Sequence, residues 1–181
     1  MTIEKTSLPG VLLLTPRIFA DSRGSFCEIW NRQQLLDAGL PDSFVQDNFS
    51  TSRKNVFRGI HFQIDRPQGK LVRVLQGAVL DIAVDLRRSS PYFGRHVAVE
   101  LTRENGHALW IPEGFGHGFL ALSDEVGFFY KVTDYYSLLG ERTIAWDDPD
   151  LNISLPIAPN HLILSDRDRA GARLADVEVF S

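Results

Sequence analysis

Cysteine is almost missing from this chain: Cys27 is the only one among 181 residues. A lone thiol excludes an internal disulfide and any cysteine-rich zinc knuckle. Long apolar runs are also missing, and nothing approaches the roughly 20 residues that a membrane-crossing helix needs, so no membrane association is expected. There is no basic cluster, and the formal net charge is -4, which argues against nonspecific nucleic-acid binding. Anionic small molecules remain possible ligands, because a few inward-facing arginines bind phosphate whatever the overall charge. Met1 is followed by Thr2, Glu4 and Lys5 rather than by a basic head and an apolar run, so a cytoplasmic location is the default expectation.

What the chain does have is a dense series of short β-like segments. Its length and its 44% apolar content fit one domain over residues 1–181 with a substantial core. Leu8–Thr15 reads as a first strand, with Pro9-Gly10 as a turn and Val11–Leu14 as its apolar body, and Phe26–Trp30 as a second extended segment. Asn31 is placed to cap a short helix through Gln33, Leu35, Leu36 and Ala38, which Gly39 and Pro41 would end. Phe44–Ser50 is a polar strand or loop that puts Gln46 and Asn48 on one face. From Val56 to Thr133 nearly everything is β-branched or aromatic: Leu71–Leu75, Val79–Asp85, His96–Leu101, Ala108–Ile111, Gly118–Leu122 and Val126–Lys131. Turn residues separate these runs. Regular short strands with almost no helical periodicity predict a sandwich, jelly roll or barrel. The tail from Asp147 is proline-punctuated, and Val177–Phe180 would close the chain as an edge strand.

Three polar side chains stand out in this pattern. Arg58, His61 and Lys70 sit on short extended segments whose other positions are apolar, so their heads point to one shared interior. Tyr130 lies in a later strand, and a tyrosine facing a pocket that holds a histidine is a plausible proton donor. In Asp166-Arg167-Asp168-Arg169 a charged run follows the apolar Leu162–Leu164, which suggests that one of the two aspartates turns inward.

Gly106, Pro112-Glu113-Gly114 and His117 together resemble the second conserved motif of the cupin superfamily, a small jelly-roll barrel. Pro112 and Gly114 would turn a hairpin that delivers His117 to the barrel mouth. The first motif is broken, however. Gln63 stands where metal-binding cupins carry a second histidine, and Lys70 stands where they carry a glutamate. An ammonium repels a divalent cation and can ligate only as the neutral amine, so no metal and no other cofactor is expected. His61, Lys70 and His117 become candidates for metal-free acid/base and charge-stabilising chemistry.

Over almost its whole length the chain is similar to the dTDP-4-dehydrorhamnose 3,5-epimerase family, a metal-free cupin branch. The similarity rests on Asp21-x-Arg23-Gly24-x-Phe26-x-Glu28, Gln46-Asp47-Asn48, Arg58-Gly59-x-His61, Gln68-Gly69-Lys70-Leu71-Val72, Pro112-x-Gly114-Phe115-x-His117-Gly118-Phe119, Tyr130-Lys131, Asp134-Tyr135-Tyr136 and Leu164-Ser165-x-Arg167-Asp168. The resemblance implies a mainly β, cupin-type jelly-roll barrel with a few short helices and epimerisation of a dTDP-4-keto-6-deoxyhexose. It further implies His61 as base, Asp168 as its carboxylate partner, Tyr130 as opposing acid and Lys70 as counter-charge for the enolate. Arg58 and His117 would hold the diphosphate and sugar, Gln46 and Asn48 would line the nucleotide pocket, and Tyr136 would stack on thymine. Glu141 and Arg167 match further substrate contacts. Arg23, Phe26 and Glu28 would reach the substrate from the neighbouring subunit of a strand-exchanged homodimer. Phe62, Phe49 and Arg167 depart from the residues usual in relatives. A C3-only or C5-only epimerase, a metal-dependent cupin enzyme and a noncatalytic sugar-nucleotide binding module are the competing readings.

Overall fold

The computed structural model describes residues 1–181, and the strands form where the apolar and β-branched runs lie. In chain order they are β1 (Thr2–Lys5), β2 (Leu12–Thr15), β3 (Ile18–Asp21), β4 (Gly24–Cys27), β5 (Gln46–Arg53), β6 (Phe57–Gln63), β7 (Lys70–Gln76), β8 (Ala78–Asp85), β9 (His96–Thr102), β10 (Ala108–Ile111), β11 (Phe115–Ala121), β12 (Glu125–Val132) and β13 (Glu141–Thr143). Two short helices accompany them, α1 (Arg32–Asp37) and α2 (Asp166–Arg169). One sheet has the order β1-β2-β10-β7-β12-β5, the other β13-β6-β11-β8-β9, and β3 and β4 form a separate hairpin. This is a mainly β, cupin-type jelly-roll barrel. No helix is long and apolar enough to cross a membrane.

Strand alternation sorts the side chains into three layers. Inside the barrel, Val72 and Val74 of β7 meet Phe115 and Phe119 of β11 and Val126 and Phe128 of β12. Outside the five-stranded sheet, Phe57, Ile60 and Phe62 of β6 and Ile82 and Val84 of β8 are covered by Ile144, Leu151, Leu174 and Val177 from the C-terminal segment. Outside the other sheet, Leu71 and Trp110 pack against Leu35 and Leu40. Each layer removes several large apolar side chains from water, about 1.5–3 kcal/mol for each one fully buried. The helix that carries Leu35 begins where expected: Asn31 accepts the Gln34 N–H at 3.1 Å, and Gly39 follows it at φ +72.

Several expectations are corrected. The first strand is shorter than expected: the chain turns at Pro9-Gly10, as the sequence indicates, with Gly10 at φ +102, and Leu12–Thr15 is the extended part, paired with Thr2–Lys5. The Pro112–Gly114 turn does not make a hairpin. Strand β10 pairs with β2 and β7, whereas β11 pairs with β6 and β8, so the turn carries the chain from one sheet to the other. Val177–Phe180 forms no edge strand; Phe180 makes a single parallel bridge to Arg87. The polar β13 offered no apolar alternation to read.

One irregularity positions the cavity residues. His117 pairs with His61 and Phe119 with Arg58, so two steps along β11 match three along β6. The extra residue is a β-bulge, and it reverses the alternation. Phe57 and Ile60, three apart, therefore share the outer layer, and Arg58 and His61, also three apart, share the inner one. Gly59 sits in this bulge at φ +132, and a Cβ there would lie 2.4 Å from the Gly118 Cα. Gly59→Ala is expected to cost at least about 2 kcal/mol of stability through backbone strain and overpacking. Urea unfolding followed by circular dichroism checks this, and an unchanged midpoint refutes it.

Candidate active site

A cavity of about 420 Å³ opens at one end of the barrel, lined by residues from both sheets. Arg58 and His61 come from β6 and His117 from β11 of one sheet, while Lys70 starts β7 and Tyr130 lies in β12 of the other. The floor is aromatic: the Phe119 and Phe128 rings stack with centroids 4.2 Å apart, and the His117 ring lies 5.8 Å from that of Phe128. Polar chemistry thus sits directly on the dry barrel core.

The closest pair in the cavity joins residues 107 apart in sequence: His61 Nε2 lies 2.5 Å from Asp168 Oδ1. Two backbone features bring them together. Ile163 bridges Val56 beside the start of β6, and Ser165 caps α2 immediately afterwards by accepting the Asp168 N–H at 3.1 Å. The Ser165 hydroxyl donates to Asp168 Oδ2 at 2.6 Å, and the Gly59 N–H donates to Oδ1 at 3.3 Å. Burial alone would raise the Asp168 carboxyl, but the hydrogen bonds from His61, Ser165 and Gly59 outweigh it and the group lies below its ordinary value. Asp168 is therefore an anion that commits Nε2 of His61, which makes Nδ1 the acceptor nitrogen of the neutral ring. Of the two candidate aspartates, Asp168 is the inward one, only 4% exposed.

Across the cavity, burial lowers the Lys70 ammonium to about 8, with Glu141 opposing the shift. Burial likewise raises the Tyr130 phenol, partly offset by Arg58, so it keeps its proton at neutral pH. Glu141 ties the mouth together: its Oε2 accepts from the Tyr136 hydroxyl at 3.0 Å and from Arg167 Nη1 at 2.6 Å. The other terminal nitrogen of Arg167 lies 3.0 and 3.2 Å from the two ring nitrogens of His61. Arg58 is anchored on Ser52 Oγ at 3.1 Å and on the Thr51 carbonyl at 3.0 Å. His117 Nε2 meets Asp81 Oδ2 at 2.9 Å. Asp81 is fully buried, its Oδ1 has no hydrogen-bond partner, and desolvation raises its carboxyl despite His117.

Nine of the residues singled out in the sequence therefore line one cavity: Arg58, His61, Lys70, His117, Tyr130, Tyr136, Glu141, Arg167 and Asp168. Five do not. Gln46 and Asn48 lie on β5, where Gln46 Nε2 donates to Asn48 Oδ1 at 2.7 Å, and they form no part of the lining. Arg23 and Phe26 lie on the β3–β4 hairpin with Glu28 just after it, and Phe26 is 70% exposed. Within this chain Arg23 pairs with Asp21 at 2.7 Å, and Glu28 accepts from Asn31 and Gln34.

Sequence reasoning passed over Asp81, whose alternation in β8 with Val79 and Ala83 was the available signal. Ser165 enters there only as part of a family motif, although serine three residues before an aspartate is a capping pattern. Ser50 and Gln68 also line the cavity.

A family model for dTDP-4-dehydrorhamnose 3,5-epimerase matches residues 5–176. The enzyme of that name from Pseudomonas aeruginosa is 48% identical over 181 residues, 99% of each chain. Its counterpart from Shigella flexneri is 47% identical over 182 residues, again 99% of each. The crystal structure of the dTDP-6-deoxy-D-glucose-3,5-epimerase of Legionella pneumophila, in complex with dTDP-4-keto-L-rhamnose, matches with a TM-score of 0.94 at 43% identity, covering 98% of this chain and 94% of that one. With a family model matched over nearly its full length and relatives near half identity end to end, this chain belongs to the dTDP-4-dehydrorhamnose 3,5-epimerase family.

Proposed function

We propose that this protein epimerises C3 and C5 of dTDP-4-dehydro-6-deoxy-D-glucose in the cytoplasm, giving dTDP-4-dehydro-L-rhamnose. The observation that carries the reading is the division of the cavity wall. An imidazole paired with a buried carboxylate stands on one sheet, and a protonated phenol and an ammonium stand on the other.

The C4 ketone acidifies the hydrogens on C3 and C5 but leaves them far too weakly acidic for an unaided base. His61 takes the proton from one face, with Asp168 as counter-charge for the imidazolium that results. Negative charge moves onto the C4 oxygen, where the Lys70 ammonium offsets it. Tyr130 returns a proton to the opposite face, which inverts the carbon, and exchange with solvent resets both groups. Proton removal and return leave the oxidation state unchanged, so the cycle asks for no redox cofactor. Arg58 and His117 hold the diphosphate and sugar, Arg167 and Glu141 border the reacting ring, and Tyr136 offers its face to thymine.

The remaining sequence candidates belong, in this reading, to a homodimer of single-domain protomers with exchanged N-terminal strands. The hairpin of a second copy brings Arg23, Phe26 and Glu28 to the cavity mouth, beside Gln46 and Asn48. Its support is the exposure of Phe26 and of Phe49, 60% exposed on β5, which isolated protomers would leave in water.

Four outcomes test this function. In deuterated water, NMR should show label at both C3 and C5; label at one carbon would make the protein a single-site epimerase. His61→Ala and Lys70→Ala should each lower kcat by about two orders of magnitude or more, and near-normal turnover in either removes that residue from its role. The kcat/KM profile should fall as pH rises through about 8, where Lys70 loses its proton. The same buried cation costs stability below that pH and the cost fades above it, so circular dichroism should show a folded protein throughout the decline. Finally, mixing inactive Arg23→Ala and His61→Ala proteins through reversible unfolding should restore roughly a quarter of the sites, because in a hybrid dimer one cavity regains both side chains. No recovery would argue against an arginine donated by the partner.

A further inference from the structure

Gln63 stands at the position where metal-binding cupins are expected to carry a second histidine and borders the cavity, yet its amide is engaged by backbone groups. The side chain is only 4% exposed. Its Nε2 donates to the Arg66 carbonyl at 2.7 Å and the Tyr135 carbonyl at 3.2 Å, and its Oε1 accepts the Ser137 N–H at 2.9 Å. Both amide hydrogens and one oxygen lone pair are thus used on the backbone of two loops, the one after β6 and the one before β13.

The second of these loops has little else to hold it. Leu138 and Leu139 are 74% and 88% exposed, so no apolar burial anchors it. Its other ties reach the neighbouring loop and β13: Gln68 Nε2 donates to the Asp134 carbonyl at 2.8 Å, Ser137 Oγ donates to Asp65 Oδ2 at 2.7 Å, Arg66 pairs with Asp134 at 3.3 Å, the Tyr136 hydroxyl donates to Glu141 Oε2 at 3.0 Å and Arg142 Nη1 donates to the Leu139 carbonyl at 2.8 Å. Among the side chains that hold the backbone of Tyr135–Ser137, Gln63 alone stands on a strand. Glu141, by contrast, is held by the β6–β13 ladder, where it pairs with Gln63 itself and the Ile64 N–H donates to the Gly140 carbonyl at 2.9 Å. Loss of the Gln63 amide should therefore free the backbone on both sides of Tyr136 and spare Glu141, leaving the Tyr136 ring tethered through its hydroxyl to Glu141.

We propose that Gln63 is a positioning residue for nucleotide recognition, whose amide clamps Tyr135–Ser137 onto β6 and so sets the place of the Tyr136 ring at the cavity mouth. This rests on the reading above in which Tyr136 faces the nucleobase. Gln63 thereby turns a position that ligates metal in other cupins into a loop fastener.

The test has one arm that needs no ligand. Hydrogen exchange followed by NMR on the free protein should show the Ser137 amide exchanging at least about tenfold faster in Gln63→Met than in the parent, with the Ile60 and Ile144 amides of the ladder unchanged. Unaltered protection at Ser137 overturns the clamp whatever the substrate is. In the second arm, dTDP affinity by calorimetry should weaken about tenfold and KM should rise in step, with a much smaller change in kcat. The combined Gln63→Met/Tyr136→Ala protein should lose less affinity than the product of the two single losses, because the amide acts through the tyrosine. Multiplicative losses would show that Gln63 does not work through Tyr136. If the parent protein fails to bind dTDP, the nucleotide reading falls while the Ser137 amide still decides the clamp. Should Gln63→Met not fold, Gln63→Glu serves instead: it keeps the length and sets a carboxylate against two carbonyls, and the same rise in KM is expected.

Discussion

The site depends on one extra residue in β6. Without the bulge at Gly59, strict alternation would send Arg58 and His61 to opposite faces of the sheet, one into the cavity and the other into the layer under the C-terminal segment. With it, both side chains turn inward while Phe57 and Ile60 keep the outer layer sealed. The distortion also exposes the Gly59 N–H, which donates to Asp168. A single local irregularity thus aims His61 and Arg58 into the cavity and steadies Asp168. Gly59 and Gly118 are matched across it, since a side chain at either would meet the other's backbone.

The barrel's two-sheet construction does the remaining sorting. The proposed reaction has base and acid approach a carbon from opposite sides, and His61 and Tyr130 stand on the two different sheets that line the cavity. The same enclosure tunes the groups. Removing Lys70 from water weakens its hold on its proton, and removing Tyr130 from water strengthens the hold of the phenol. Asp168 escapes the usual fate of a buried carboxylate because three hydrogen bonds favour its anion. One environment therefore produces an anion, a neutral acid and a weakly held cation within a few residues of each other.

The departures from the metal-binding cupin pattern take on separate meanings. Lys70 places a buried ammonium in the cavity wall, and in the proposed reaction it supplies the positive charge for the enolate. Gln63 borders the same cavity, but its amide is spent on the backbone of two loops.

Much of this could be read from the residues. Alternation and turn chemistry located β7 to β12 to within a few positions, and Asn31 and Gly39 marked the ends of α1, because these are short-range properties of the chain. The motif residues named the cavity wall in advance, since polar heads at apolar strand positions have nowhere else to go. What the chain alone did not reveal depends on contacts between distant segments. The turn after Pro112 reads as a hairpin until the partners of β10 and β11 are known, and the bulge in β6 is visible only in its register with β11. Asp168 could be picked from a charged run only when Ile163 had docked beside β6 and Ser165 had capped α2. Composition and local pattern tell which residues are polar, which alternate and where the chain turns; which of them meet is settled by the fold, because meeting depends on register and packing across more than a hundred residues.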